Sequence, residues 1–416
     1  MASRASLCPP HANVISSPTC EHSYIRALRN TMMQAVLFIS LGLIGYAYVG
    51  YLVLLWVLTR VLAMPTSYEL TSGFPKVSLV ISVYNEEAVI SDKLDNSLQL
   101  EYPRELLEII VVSDGSTDRT GDIVKSFADR GIILKSYQGR IGKTACLNQA
   151  IADLSSNIVI FSDANSMYPP NTVRALVAPF SDPNIGFVTG GTSYVADNNG
   201  RMGESIGVYA KLEQMVKLLE SRLGSCVGAD GAMFAIRRSL YEPLDQADIN
   251  DLVIPLRIVR AGYRGIYSPQ ASCVEVVAKE ATKEFSRQVR IAARTIRAVI
   301  AQRALLNPFA YGLFAFQLIS HKLCKLMMPF LLLAVFVANI ALVGSSLFYL
   351  LLLTIQLMVY TTTWVAVRRS AVPASGSFTM RLIDVMRSFL VVNAAVGIAW
   401  IRYWKGDSFT TWAPAR

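Results

Sequence analysis

The sequence has 416 residues, of which 53% are hydrophobic and only 17% are charged, and its mean hydropathy is +0.39. This composition excludes an ordinary soluble protein of the same length. The formal net charge of +9 suits a surface that rests on anionic lipid and handles anionic substrates, but it is too small to predict nucleic-acid binding. Three histidines and six cysteines without paired metal spacing argue against a zinc site or a histidine-based triad.

Long uncharged stretches predict four membrane-spanning helices, since one span needs roughly 20 apolar residues. The predicted spans are residues 31–62, 326–343, 346–367 and 387–403. They leave terminal tails at 1–30 and 404–416, and a segment at 281–325 that we expect to form amphipathic, interfacial helices. The first span follows no cleavable signal peptide and is interpreted as a retained anchor.

The charges that flank these spans predict their orientation. Arg60 lies near the end of the first span, Lys322 precedes the second and Arg387 stands at the start of the fourth, which places the central region on the cytosolic side by the positive-inside rule. Arg26 and Arg402 argue mildly against this placement. We therefore expect a multi-pass protein of the cytoplasmic (inner) membrane.

Residues 75 to about 275 alternate between strand-like and helix-like patterns, which predicts an α/β domain with a mostly parallel sheet. The predicted strands are Val77–Val83, Leu107–Val112, Ile132–Ser136 and Ile158–Phe161. A helix is predicted over 86–100, and Ser116 or Thr117 is expected to cap the helix after the second strand. A further helix is predicted to begin near Lys143.

Three of these strands end in polar residues, at Glu86, Asp114 and Asp163. Parallel strands bring their carboxyl ends to one edge of a sheet, where ligands bind. Asp163 and Asn165 are alternate residues whose oxygens suit Mg²⁺ or Mn²⁺ held together with a phosphate. Taken alone, this segment is also explained by an Asx turn after a strand. Lys143 could approach a diphosphate, although its surroundings do not match a P-loop.

The motifs occur in an order and spacing that resemble the membrane-integrated family 2 glycosyltransferases, which include bacterial cellulose, hyaluronan, chitin-oligosaccharide and poly-N-acetylglucosamine synthases. The motifs that carry this resemblance are VSLVISVYNEE, VVSDGSTDRT, GKTACLN, FSDANSMY, GADGAMFAIRR and INDLVIPLRIVRAGYRG. The similarity covers about residues 75–320. It implies a Rossmann-like GT-A domain at 75–280.

The resemblance also implies roles for individual residues. The nucleotide-sugar would be bound by Tyr84, Glu86, Asp114, Lys143, Asp163 and Arg290. Asp163 would be the first acid of the DxD motif and a ligand of Mg²⁺ or Mn²⁺, and Asn165 stands where the second acid is expected. The acceptor would be bound by Gly228, Asp230, Gly231 and Ala232. Asp251 would be the general base, although a carboxylate at a helix start is also explained as a cap.

The motif that precedes the interfacial segment departs from the family pattern. Processive members carry QxxRW, and the corresponding residues here are Arg287-Gln288-Val289-Arg290-Ile291. Arginines at 287, 290, 294 and 297 recur along one helical face. They could neutralise a departing nucleoside diphosphate or snorkel to lipid headgroups. We expect Arg290 to face the site and some of the others to face lipid.

The leading hypothesis is an inverting, metal-dependent glycosyltransferase that uses a cytosolic UDP-sugar to extend a β-linked polysaccharide and translocate it across the membrane. The expected partners are the UDP-sugar, a glycan or lipid acceptor and membrane lipids, with room for an export partner. One alternative is transfer of a single sugar to a membrane lipid, which the altered QxxRW favours. Another is a catalytically inactive scaffold or export subunit. The sugar and its linkage are not determined by these motifs.

Overall fold

The computed structural model describes residues 18–64, 68, 73–195, 202–276, 281–368 and 378–407. The outer parts of the two predicted tails, 1–17 and 408–416, lie outside this range. The chain divides into two compact units, one formed by Met1–Ile44 with Phe330–Thr362 and the other by Gly45–Pro329 with Thr363–Arg416.

The larger unit contains a seven-stranded sheet. Its strands are β1 (Val77–Val83), β2 (Leu107–Asp114), β3 (Ile132–Tyr137), β4 (Ile158–Asp163), β5 (Ile185–Val195), β6 (Met233–Arg237) and β7 (Arg264–Val276). The spatial order is β3-β2-β1-β4-β6-β5-β7. All pairs are parallel except those that β6 makes with β4 and β5. The predicted mostly parallel sheet is therefore confirmed, and one antiparallel strand interrupts it.

Helices occupy the connections and both ends of the described chain. They are α1 (Pro18–Gly45), α2 (Tyr51–Leu62), α3 (Ile90–Leu98), α4 (Thr120–Lys125), α5 (Lys143–Ala152), α6 (Thr172–Val177), α7 (Met202–Leu223), α8 (Asn250–Arg260), α9 (Ala281–Ala301), α10 (Pro308–Leu318), α11 (Cys324–Leu326), α12 (Met328–Leu342), α13 (Leu347–Arg368) and α14 (Phe378–Trp404). Two π-helical turns, Tyr46–Gly50 and Ile319–Leu323, connect α1 to α2 and α10 to α11.

The apolar pattern of the central strands explains why the sheet is covered on both faces. Every residue of β1 is buried. Val77, Leu79 and Ile81 pack into the hydrophobic cluster on one face, whereas Val80 belongs to the cluster on the other. Alternating residues of a strand point to opposite faces, so a continuous apolar run is the pattern of a strand buried on both sides.

Two helices begin later than the sequence pattern predicts. Asn85 has a left-handed backbone with φ of 51°, so the chain turns before α3 can begin at Ile90. Ser116 and Thr117 do not cap α4, because the Ser116 hydroxyl accepts the Asn85 amide (3.1 Å) and the Thr117 amide donates to Asn85 Oδ1 (2.8 Å). The predicted cap at Ser116 or Thr117 was therefore wrong. Asp118 Oδ1 instead accepts the amide of Thr120, at the start of α4 (3.0 Å).

Within the described chain, three helices are long and apolar enough to cross a membrane: His22–Leu62, Leu347–Val365 and Val385–Trp404. A bent pair, Pro308–Leu326 and Met328–Leu342, meets at 59° and counts as a fourth candidate. The predicted second span is the second arm of this pair. In the smaller unit, Leu37 of α1 joins a buried cluster with Val335, Leu342 and Tyr349.

A lysine lies completely buried beneath the sheet edge. The Lys93 side chain on α3 is 0% exposed, and its ammonium group donates to the Ser166 carbonyl (2.5 Å). The same group lies 3.8 Å from the centroid of the Tyr168 ring. Burial lowers the pKa of Lys93 to about 7. This lysine therefore fastens α3 to the loop that follows β4.

Lys93 makes the stability of the protein dependent on pH. Its pKa is lower in the folded chain (about 7) than the ordinary value of 10.5, so the unfolded chain binds more protons between these two values. Stability should therefore rise with pH across this window, and Lys93→Met should lack that slope. Thermal unfolding of both proteins in detergent at several pH values measures the difference. Parallel pH profiles would contradict the assignment.

Candidate active site

The first part of the site is the buried carboxylate at the end of β2. Asp114 is 2% exposed, and its Oδ1 accepts the amide of Gly142 (2.9 Å). Within the described residues, its Oδ2 is buried and has no hydrogen-bond partner. An unsatisfied buried acceptor costs free energy unless a ligand supplies a donor. A heterocycle N–H, such as the imide of a pyrimidine base, is a donor of the right chemistry.

A cation–π contact lies in the loops that follow β1 and β3. The Arg140 guanidinium lies 3.7 Å from the centroid of the Tyr84 ring. The loop after β1 is hydrogen-bonded to the start of α4, because Thr120 Oγ1 accepts the buried amide of Glu86 (2.8 Å). The predicted residues Tyr84, Glu86 and Asp114 therefore gather at the carboxyl ends of β1 and β2.

The third predicted group of polar residues lies at the end of β4. There Lys143 Nζ donates to Asp163 Oδ1 (2.6 Å). Lys143 is the first residue of α5 and follows Gly142, whose φ of 94° lets the chain turn into the helix. Both side chains remain partly exposed, at 20% and 36%. Asn165, two residues after Asp163, is also partly exposed.

The residues at this edge fit a divalent metal only in combination with a ligand. Among the described residues there is no cluster of three or more histidine, cysteine or acidic side chains that could hold a metal ion. Mg²⁺ and Mn²⁺ accept one or two protein oxygens when phosphate oxygens and water complete the shell. Asp163 and Asn165 would supply such a set, so these residues fit a divalent metal that also has phosphate oxygens as ligands.

A buried acid on β7 contacts the loop that follows Asp163 at the end of β4. Ser166 Oγ donates to Glu275 Oε1 on β7 (2.5 Å). Burial, reinforced by the nearby charge of Asp163, raises the pKa of Glu275 to about 7. Together with the bond from Lys93 to the Ser166 carbonyl, this contact holds the loop from two sides. The loop can therefore present Asp163 in one orientation.

The carboxylate at the start of α8 is arranged to accept a proton. Asp251 Oδ1 is buried and has no hydrogen-bond partner within the described residues. A Cβ built on Gly231 would lie 2.8 Å from Asp251 Oδ2, so only a glycine leaves this side of the carboxylate open. Burial raises the pKa of Asp251, which the cation of Lys143 partly opposes and the charge of Asp230 reinforces. These are the properties of a general base.

The predicted acceptor loop, Gly228 to Ala232, is attached directly to this base. The amide of Ala229 donates to the Asp251 carbonyl (2.7 Å). Asp230 turns inward, where its Oδ2 accepts from Thr192 Oγ1 (2.9 Å) and its amide donates to Thr189 Oγ1 (2.8 Å). The loop is thus held by β5 while Gly231 faces Asp251.

Arg294 is the site residue that sequence reasoning did not single out. Its guanidinium donates to the carbonyls of Ala247 (3.1 Å) and Asp248 and to Thr144 Oγ1 (3.2 Å). Burial lowers the pKa of Arg294, and the charge of Asp251 opposes that shift. This arginine therefore fixes the segment that leads into α8.

The other arginines of α9 make different contacts. Arg287 pairs with Glu284 (3.2 Å), and Arg297 is exposed. Arg290 is partly buried, and burial together with the neighbouring Arg287 lowers its pKa. The predicted role of Arg290 in nucleotide-sugar binding stays a prediction. The spacing of the stripe identified the face, but only the tertiary packing distinguishes Arg294 from its neighbours.

Residues 78–244 match the model of the glycosyl transferase family 2. The probable glycosyltransferase YdaM of Bacillus subtilis is 30% identical over 256 residues, which cover 58% of this chain and 61% of that protein. The poly-β-1,6-N-acetyl-D-glucosamine synthase of Staphylococcus aureus is 26% identical over 221 residues, which cover 51% of this chain and 53% of that protein. The matches therefore span only about half to three fifths of these relatives.

A solved structure shares the fold over most of the chain. It is a mannosyltransferase from Pyrobaculum calidifontis in complex with GDP-Man and Mn²⁺, with a TM-score of 0.67 and 23% identity. The match covers 89% of this chain and all of that one. At this identity the likeness shows the fold, which is GT-A. The predicted fold class is confirmed.

The contacts of Arg294 predict a local effect on backbone dynamics. Arg294→Gln removes bonds to two carbonyls and a hydroxyl, so the segment 245–252 should open more readily. We expect its amides to exchange about tenfold faster in hydrogen–deuterium exchange mass spectrometry. Arg297→Gln, an exposed change on the same helix, is the matched control. Equal exchange in the two variants would contradict this anchoring role.

Proposed function

We propose that the protein transfers a sugar from a UDP-sugar to an acceptor hydroxyl, with inversion at the anomeric carbon, because residues 78–244 match the model of the glycosyl transferase family 2. The observation that carries this proposal is the buried, unpartnered Oδ1 of Asp251 beside the open side of Gly231. An inverting transfer needs a carboxylate that is poised to take the proton of the attacking hydroxyl.

The donor is bound at the carboxyl ends of β1, β2 and β4. Asp114 Oδ2 accepts the N–H of the uracil ring and so loses its unsatisfied state. Tyr84, with Arg140 against its ring, packs beside the nucleoside. Lys143 and Asp163 approach the diphosphate, because their ion pair lies at the exposed end of β4.

Asp163 and Asn165 would hold a divalent metal together with the diphosphate. When bound there, the metal would neutralise charge on the departing nucleoside diphosphate. Lys143 contributes a second positive charge, since its ammonium group already lies 2.6 Å from Asp163 Oδ1. Asn165 adds an oxygen without adding charge, so the metal is held more weakly than by two carboxylates.

The raised pKa of Asp251 matches it to the chemistry of the acceptor. A carboxylate that is stabilised less by its surroundings is a stronger base, and burial is the main cause of this shift. Asp251 takes the hydroxyl proton while the hydroxyl oxygen attacks the anomeric carbon. Gly231 leaves room for the acceptor beside Oδ2, and Arg294 holds the segment that carries the base.

Two acceptors are compatible with this mechanism. A relative that is named as a polymer synthase supports extension of a β-linked polysaccharide, which the membrane helices would translocate as it grows. Ile291 supports the second, a single transfer to a membrane lipid. It stands where the processive members of the family have a tryptophan under the acceptor sugar. In both cases the reaction takes place at the cytosolic face of the inner membrane.

Replacement of the base tests the reaction directly. Asp251→Asn keeps the shape but removes the proton acceptor, so kcat should fall by about a hundredfold or more while UDP binding is retained. Radiolabelled transfer from UDP-glucose, UDP-N-acetylglucosamine and UDP-galactose, with the protein in lipid, measures both the rate and the donor. Asp245→Asn, an exposed acid in the same segment, is the control. Unchanged transfer by Asp251→Asn would reject Asp251 as the base, whereas unchanged export or assembly in this variant would favour the non-catalytic scaffold.

The metal ligands have a test that does not depend on turnover. Asp163→Ala should abolish the UDP-dependent binding of Mn²⁺, measured by electron paramagnetic resonance, and the metal-dependent part of the transfer. Asn165→Asp adds a carboxylate at the neighbouring ligand and should bind Mn²⁺ more tightly than the wild type. Normal transfer by Asp163→Ala in the presence of EDTA would rule out this site.

A further inference from the structure

A buried histidine lies between two carboxylates of α7. His321 belongs to the π-helical turn Ile319–Leu323 and is 0% exposed. Its Nδ1 lies 2.9 Å from Glu220 Oε1, and its Nε2 lies 2.8 Å from Glu213 Oε2. Burial alone would raise the pKa of Glu213, but the charges of Lys325 and His321 hold it well below its usual value, so this acid is ionised.

The hydrogen bonds of the second acid show which partner supplies the protons. Glu220 Oε1 also accepts from the Tyr51 hydroxyl (2.7 Å), and its Oε2 accepts from the amide of Val227 (3.0 Å). A carboxylate that accepts at both oxygens is ionised. A neutral imidazole donates from one of its nitrogens and accepts at the other. Because both nitrogens of His321 face ionised acids, the ring is doubly protonated and donates to both.

Glu220 connects this histidine to the acceptor loop, residues 228–232. Val227, whose amide it accepts, is 0% exposed and directly precedes that loop. The Glu220 carbonyl also accepts the amide of Gly224 (3.0 Å), so the acid holds both ends of the short segment between α7 and the loop. Within the described residues, the ion pair of Glu220 is made with His321. A fully buried carboxylate needs such a partner to keep its charge and its orientation.

The turn that carries the histidine also packs against the acceptor loop. Lys322 follows His321, and its Cε would lie 3.9 Å from a Cβ built on Gly228. Gly228 has a left-handed backbone with φ of 81°, and the next residue, Ala229, donates its amide to the Asp251 carbonyl (2.7 Å). A displacement of the turn would therefore reach the loop that faces the base.

Two membrane segments meet at this network. Tyr51 is part of the candidate span His22–Leu62, and the turn that carries the histidine is part of the arm Pro308–Leu326. The Tyr46 hydroxyl of the first π-helical turn lies 2.7 Å from Ser320 Oγ of the second. Such turns are rare and are frequent at functional sites. The network thus connects both membrane segments to the acceptor loop.

We propose that His321 is a positioning residue for the acceptor: its doubly protonated ring orients Glu220, which fixes the Val227 amide and thereby the acceptor loop beside the base. The role of this loop in acceptor binding rests on the proposed function, whereas the link from the histidine to the loop is independent of it. Loss of the contact with Glu220 should therefore disturb the loop more than loss of the contact with Glu213.

A matched pair of variants separates the two contacts. The amide nitrogen of His321→Asn reaches the place of Nδ1 and keeps a donor for Glu220, whereas that of His321→Gln reaches the place of Nε2 and keeps a donor for Glu213. The full-length proteins are compared in nanodiscs of neutral lipid, without substrate, by hydrogen–deuterium exchange. We expect residues 224–232 to exchange about tenfold faster in the glutamine variant and at most about twofold faster in the asparagine variant. The exposed Lys211→Gln on α7 is the control.

The partition of the donor between acceptor and water is a second readout. Water in the place of the acceptor hydroxyl yields free sugar and UDP with the same base, so a displaced acceptor loop raises the ratio of free sugar to transferred product. Radiolabelled UDP-glucose and UDP-N-acetylglucosamine measure this ratio. We expect it to rise about tenfold in His321→Gln and to change little in His321→Asn, with the KM of the UDP-sugar unchanged in both. A smaller amount of folded protein would lower both products together and leave the ratio unchanged.

The outcomes distinguish the positioning role from the proposed function. Equal exchange and equal ratios in the two variants would overturn the positioning role, as would faster exchange that extends equally to β1. A raised KM of the UDP-sugar without a raised ratio would also overturn it. Faster exchange of residues 224–232 in the glutamine variant, together with the absence of sugar transfer by the wild type, would instead reject the proposed function and leave the link from the histidine to the loop standing.

Discussion

Parallel pairing of β1 with strands on both of its sides is the constraint on which the site depends. Val83 is opposite Ser113 of β2, and Ser82 is opposite Asp163 of β4. This register brings the acid that ends β2 and the acid that ends β4 to one edge of the sheet. The two acids would no longer lie on the same side of this edge if one strand slipped by a single residue, because alternate residues face opposite sides. The buried apolar faces of β1 and β4 are what oppose such a slip.

The site then departs from the rule that buried polar atoms are paired. Asp114 Oδ2 and Asp251 Oδ1 are both buried without a partner in the described structure. Each such oxygen destabilises the folded state by roughly 1–3 kcal/mol. The neighbouring segments, fixed by the bond of the Gly142 amide to Asp114 and by the bonds of Arg294, oppose a relaxation that would satisfy these atoms internally. The two acceptors therefore stay open, as the proposed function requires: the first for a base N–H and the second for a proton in transfer.

The sequence predicted features that depend on neighbouring residues better than features that depend on contacts between distant parts of the chain. The apolar run of β1 gave its bounds correctly, and alternation of strands and helices predicted the shared edge at which Lys143 meets Asp163. The starts of α3 and α4 were placed too early because Asn85 competes for the hydroxyl and amide groups of the next loop. The arginine stripe on α9 was visible from its spacing, but its rotation about the helix axis depends on packing against residues 246–248.

The acceptor side of the site differs from the pattern of the processive members at one position. A tryptophan under the acceptor sugar would hold a neutral glycan by stacking, and each successive sugar would present the same apolar face to it. Ile291 has no such ring. An aliphatic side chain still buries apolar surface, but it does not select the flat face of a sugar ring, so it does not hold a new chain end in the same place after each transfer. The substitution therefore favours a single transfer, whereas a stacking ring at this position favours repeated ones.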